Sequence, residues 1–176
     1  MLAVGTVVWL ASELMFFGGL FAAYFTLRSM SAEWPPSEIE LETLSSLIGT
    51  ILLIISSGTM ILGIRAMERG DRLGLQRWTV LTLALGAVFL ANQMREYAVL
   101  NFGVSTNSYG SIYYLLTGFH AAHVFGGLVL LLIAITLARG RGPLERHGPA
   151  VDAISYYWHF VDVVWIAVFV TIFVIR

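Results

Sequence analysis

Apolar residues fall into five long runs separated by short polar stretches: Val4–Leu27, Leu44–Ile64, Trp78–Leu100, Ser111–Ala138 and Ala153–Ile175. A hydrocarbon core about 30 Å thick takes roughly 20 such residues per helix. Each run meets that length, so the pattern predicts five membrane-spanning helices and an all-α bundle. The breaks agree: Trp34-Pro35-Pro36 interrupts the first connection, and Gly140, Gly142 and Pro143 the fourth, so backbone leaves helix only near the interfaces. Little chain remains outside the spans, and residues 1–176 read as one membrane domain.

Composition changes this picture little. Of 176 residues, 58% are hydrophobic and 12% charged, against roughly 45–50% and 25% in soluble domains. The absence of cysteine excludes disulfides, thiolate metal sites, iron–sulfur clusters and cysteine nucleophiles. A net charge of −1 with dispersed arginines speaks against nucleic-acid binding. The N-terminal run has no basic flank and carries Glu13 in its middle, which predicts a mature span and not a cleaved signal.

Charge does set an orientation. All ten basic residues are arginines. The second connection holds Arg65, Arg69, Arg72 and Arg77, and the fourth holds Arg139, Arg141 and Arg146, whereas the first and third contribute Arg28 and Arg95. The positive-inside rule therefore predicts a cytoplasmic N-terminus and an outer C-terminus at Arg176. Glu33, Glu38, Glu40 and Glu42 make the first outer loop acidic, either a solvated surface or a docking face for a basic partner.

Ionisable residues at membrane depth are costly and need an explanation. At 1.5 Å per residue, Glu13 and Asp162 lie about 14 Å into their helices, and His120 and His123 about 14 and 18 Å in from the other side. Four polar groups on three helices are thus expected near one plane. No Lys or Arg accompanies them at that depth, so the expected states are a neutral acid or a carboxylate hydrogen-bonded to histidine. Spacings of three put His120 with His123, and His159 with Asp162, on shared helix faces. Gly118, Ala122 and Gly126 form a small-residue stripe on the opposite face of the fourth helix, which predicts packing there. Glu96 is positioned to accept a hydrogen bond from a neighbouring helix or a headgroup, and Arg95 to anchor at the interface. Tyr156, Tyr157 and Trp158 read as an interfacial aromatic belt. On these residues alone, interhelical hydrogen bonding competes with proton relay and with haem ligation by His120 and His159. A di-iron site would need repeated Glu-x-x-His motifs, which do not occur. A transporter reading finds no inverted repeat or broken helix to support it.

Four segments carry a family resemblance: WLASELMFFGGLFAAYF around Glu13, Glu96-Tyr97, YGSIYYLLTGFHAAHVFGG around His120 and His123, and SYYWHFVDVVWIAVF around His159 and Asp162. With the WPP turn and the AMERGDRLGLQRW connection, the chain resembles subunit III of the haem-copper cytochrome c oxidases, and its ER-GD connection and short tail look most like the actinobacterial branch. The resemblance implies a non-catalytic subunit in a bacterial plasma membrane, part of an oxidase that reduces oxygen with electrons from cytochrome c and pumps protons. It implies no haem, copper or other metal in this chain, those cofactors belonging to partner subunits I and II. It also implies bound phospholipid, support of assembly, sustained proton uptake and oxygen access for subunit I, and leaves open a supercomplex with a cytochrome bc complex. Glu13 matches the family's intramembrane carboxylate, and Glu96, His120, His123, His159 and Asp162 its other buried polar positions. Family members commonly have seven helices, and the match begins at the third. The usual His-Gly-Leu-His is His-Ala-Ala-His here. A quinol oxidase subunit III and a nitric oxide reductase accessory subunit are the alternatives; Ser12-Glu13 leans toward the cytochrome c type.

Overall fold

The computed structural model describes residues 2–39, 41–140 and 144–175, with the side chains of Leu2, Ala3 and Glu145 left aside. Arg141, Gly142, Pro143, Arg176 and Glu40, named above for charge and chain breaks, lie outside the described residues. Among the described residues there are five long helices: α1 Leu2–Met30, α2 Thr43–Glu68, α3 Arg72–Val99, α4 Ser108–Arg139 and α5 Gly148–Phe169. A 3₁₀ turn, Leu144–His147, leads into α5, and a π-helical turn, Val170–Val174, continues it. All five are long and apolar enough to cross a membrane. They overrun the predicted spans, because polar helix ends project beyond the apolar stretches. The second connection shrinks accordingly to Arg69-Gly70-Asp71; Arg65, Arg72 and Arg77, expected in a loop, sit in helix.

That tight turn has a local cause. Gly70 takes φ +71°, the left-handed conformation that costs glycine nothing. The Asp71 amide reaches back to the Ala66 carbonyl and the Gly70 amide to Met67, each at 2.9 Å, closing the end of α2. Asp71 then starts α3 by accepting the Gly74 amide at 2.8 Å, and Asn107 starts α4 by accepting the Gly110 amide at 2.7 Å, both as N-caps. The carbonyls ending α4 are taken by α3: Gln76 Nε2 donates to Ala138 at 3.0 Å, and Arg72 to Ala138 and Gly140.

Hydrogen-bond partners define the helix directions. Tyr24 donates to the Thr171 carbonyl and Arg28 to that of Ile175, both 147 positions away. A constant offset means that α1 and α5 run parallel. These two side chains also satisfy carbonyls of the π-helical turn, orphaned at any helix end. Sequential neighbours run antiparallel: Thr59 meets Thr82 while Ser46 meets Glu96, and Gln76 meets Ala138 while Tyr97 meets Thr117. The N-terminus of α1 and the end of α5 therefore lie at opposite ends of the bundle. Arg65, Arg69, Arg72 and Arg139 gather at one end, Arg28 and Arg95 at the other.

The centre of the bundle is α5, whose span is 56% buried, whereas that of α1 is 6% buried. Alpha-helix α1 lies against α4 and α5, turning Phe17 and Tyr24 inward and leaving Val4, Val7, Val8, Met15 and Phe25 uncovered. Tyr157 and Trp158 are core residues, not an interfacial belt; only Tyr156 faces outward. Three consecutive helical residues are spread over some 200°, so they cannot share an outer face. Trp158 occupies the notch left by Gly86 on α3 and Gly127 on α4, where an added Cβ would lie 2.5 and 2.8 Å from its ring. Its indole N–H donates to Ser56 Oγ on α2 at 3.0 Å.

Filling that notch is expected to destabilise the bundle by overpacking, about 1–3 kcal/mol. Gly86→Leu and Gly127→Leu should each lower the thermal unfolding midpoint of the purified protein. Gly58→Ala, whose Cβ would meet nothing within 4 Å, should not; equal midpoints for all three would contradict the wedge.

Candidate functional site: buried polar clusters between the helices

The predicted site residues are divided among different helix pairs. On the seam of α1 and α4, His123 Nε2 stands 3.1 Å from Glu13 Oε2. His123 Nδ1 lies 2.7 Å from the Phe119 carbonyl, which can only accept, so Nδ1 carries a hydrogen. Nε2 then either accepts from a protonated Glu13 or donates, as imidazolium, to its carboxylate. Both arrangements are net neutral, which is the requirement at this depth. Tyr157 donates to the His123 carbonyl at 2.9 Å and stacks on Trp9 at 5.1 Å, while Phe17 meets the His123 ring edge-on at 5.1 Å. The pair is not sealed: the Glu13 and His123 side chains remain 24% and 18% exposed.

Between α2 and α5 lies a second cluster. Ser57 Oγ is 2.7 Å from His159 Nδ1 and 2.5 Å from Asp162 Oδ2, so the residues predicted to share a face do so by sharing a serine. The other carboxyl oxygen, Asp162 Oδ1, is buried without a partner. This is not the arrangement of a serine nucleophile, where histidine stands between the acid and the hydroxyl; here the hydroxyl stands between the other two. Ser57 escaped sequence reasoning, because a serine in an apolar run is cheap to bury and gives no depth signal.

Third, Glu96 near the end of α3 accepts from Ser46 on α2 at 3.0 Å and from Tyr113 on α4 at 3.1 Å. It thus ties three helices, as a neighbouring-helix acceptor would. Next to it Tyr97 donates to Thr117 at 2.7 Å. Arg95 is exposed and pairs with Glu42 at 3.5 Å.

His120 departs from expectation. It shares no face with His123: its ring is buried against Trp165 at 4.9 Å and Phe89 at 6.0 Å, and neither ring nitrogen has a hydrogen-bond partner. A rotation of some 60° between positions three apart is enough to send one ring into the core and the other to the α1 seam. The small-residue stripe is also less packed than predicted. Gly118 and Ala122 line an open groove of about 320 Å³ with Leu90, Met94, Tyr97 and Phe125, and only Gly126 closes on a neighbour, the Tyr157 hydroxyl.

An unpartnered buried imidazole forfeits about 1–3 kcal/mol, and an apolar group of the same shape forfeits none of it. His120→Phe should therefore match or exceed the parent in thermal stability, while His120→Ala, which leaves a cavity, should lose about 3 kcal/mol or more. A marked loss with phenylalanine would mean that a ring nitrogen is in use.

Comparison with known proteins agrees with this architecture. Residues 1–175 match the family model described as cytochrome c oxidase subunit III. A relative from Mycobacterium leprae named "Probable cytochrome c oxidase subunit 3" is 48% identical over 182 residues, covering 100% of this chain and 89% of its own. The cytochrome c oxidase subunit 3 of Corynebacterium diphtheriae is 44% identical over 183 residues with the same coverage. That of Thermostichus vulcanus is 41% identical over 174 residues, covering 98% and 86%. Five apolar spans and a match along nearly the full length have one meaning: the chain belongs to the cytochrome c oxidase subunit III family and serves as a multi-pass membrane subunit of such an oxidase.

Proposed function

We propose that this subunit is non-catalytic and works by holding its partners and lipid in place in a bacterial plasma membrane. Haem and copper are assigned to subunits I and II. In support, no three His, Cys, Asp or Glu side chains among the described residues are grouped to hold a metal. Of the membrane-depth histidines, His120 is packed between aromatic rings, and His123 and His159 are hydrogen-bonded at Nδ1. The N-terminus is placed in the cytoplasm because the arginine-rich end of the bundle, with Arg65, Arg69, Arg72 and Arg139, then follows the positive-inside rule.

The observation that carries the reading is the Glu13–His123 pair on the most exposed of the five helices. Most residues of α1 are exposed, which leaves a broad face for a neighbour, and the part-exposed pair stands at its seam. We assign that surface to subunit I, and the grooves beside it to phospholipid. The α1–α5 groove, about 410 Å³ and lined by Val7, Leu10, Leu14, Phe160 and Val163 among others, suits acyl chains, as does the α3–α4 groove. Through this contact the subunit supports assembly, sustains proton uptake and guides oxygen toward subunit I.

Replacing Glu13 by alanine leaves His123 without its acid, a loss of about 1 kcal/mol by the measure of interhelical hydrogen bonds in membranes. Initial oxygen reduction by the Glu13→Ala oxidase should equal that of the parent. Over prolonged turnover its activity and proton-to-electron ratio should decline several-fold faster, and less phospholipid should co-purify. Activity, coupling and lipid content indistinguishable from the parent over a long assay would refute the role.

A further inference from the structure

The cluster of Ser57, His159 and Asp162 has a property that packing does not require. Its hydroxyl has one hydrogen to give and touches a base on one side and an acid on the other, at 2.7 and 2.5 Å. Two hydrogen-bond orders satisfy this geometry. In one, His159 Nδ1–H donates to Ser57 and Ser57 donates to an ionised Asp162. In the other, protonated Asp162 donates to Ser57 and Ser57 donates to a bare Nδ1. Converting the first into the second moves one hydrogen across each bond and no heavy atom.

The ends of this chain differ. Asp162 lies 4% exposed, with Oδ1 unpartnered, a setting in which a lasting carboxylate would be poorly compensated. The ring of His159 lines the α1–α5 groove, and its Nε2 has no hydrogen-bond partner among the described residues. We propose that Ser57, His159 and Asp162 form a proton-holding site loaded at His159, the half-buried end of the chain. A proton binds Nε2, the Nδ1 hydrogen passes to Ser57 Oγ, and the Ser57 hydrogen passes to Asp162 Oδ2. The carboxylate is neutralised, His159 ends neutral with its hydrogen on Nε2, and serine is regenerated. Each transfer leaves the chain reversed, so it stores one proton and must turn back before taking another. This separates a holding site from a through-conducting wire. Among the titratable groups near its level, Tyr156 lines the same groove, Glu13 and His123 engage each other, Tyr157 donates to the His123 carbonyl, and His120 is packed between rings.

The test uses the intact purified oxidase and infrared spectroscopy of the carboxylic-acid C=O band. The Asp162 contribution is identified by its loss in Asp162→Asn. After transfer to heavy water the band should shift in the parent and in Ser57→Thr, which keeps a hydroxyl. In Ser57→Ala the shift should slow about tenfold or more, equivalent to roughly 1.4 kcal/mol in barrier. His159→Gln retains a hydrogen-bonding side chain but cannot carry the proton, and should slow equally; it decides the matter where Ser57→Ala fails to assemble. Exchange at the parental rate in these variants, or a carboxylic-acid band unchanged in Asp162→Asn, would overturn the proposal and leave a simple interhelical clamp. Glu13→Gln should not alter this band, so the outcome is independent of the role assigned to the α1 seam.

Discussion

The bundle depends on one wedge. Trp158 on α5 enters the space conceded by Gly86 and Gly127 and bonds Ser56, so a single side chain touches α2, α3 and α4 together. In lipid there is little hydrophobic gain in bringing apolar helices into contact, and close packing with interhelical hydrogen bonds must supply the specificity. The wedge supplies both. It fixes the rotation of α5, and with it the directions of Tyr157, His159 and Asp162, the first turned toward α4 and the others toward α2.

Around it α2 acts as a row of small hydroxyls, each aimed at a particular neighbour. Ser46 serves Glu96 on α3, Thr50 accepts the Trp165 indole, Ser56 the Trp158 indole, Ser57 bridges His159 and Asp162, and Thr59 meets Thr82. These groups cost little to bury because most of them also bond a carbonyl of their own helix, as Thr50 does with Ser46 and Ser56 with Leu53. They align α2 with α3 on one side and α5 on the other.

Span number and helical class were legible in the sequence, since both follow from the length of apolar runs and a fixed rise per residue. Facing was not. A span that is apolar all round has no amphipathic stripe to show which side is inward, so Tyr157 and Trp158 read as a belt and His120 as a companion of His123. The third and fourth partners of each cluster were hidden for the same reason: Ser46, Ser57 and Tyr113 are ordinary in an apolar run, and their importance comes from the helix opposite. The family resemblance named acids and histidines without pairing them.

The distribution of polar groups divides the molecule. Glu96, Asp162 and His120 are sealed within the four-helix part formed by α2 to α5, and the first two are held there by hydroxyls. Glu13 and His123 are instead left part-exposed on the seam of the peripheral helix. A charge-capable pair is cheapest where it is fully enclosed by its own partners or fully wet, and this one is neither. Its net-neutral proton sharing lets α1 present a polar spot to lipid or to a neighbouring subunit without an uncompensated charge. The parallel pairing of α1 with α5, through Tyr24 and Arg28 at one end and Trp9 at the other, holds that spot level with His159 and Asp162. A partner seated on α1 would therefore cover the acid–histidine pair and close the groove over His159 in one contact.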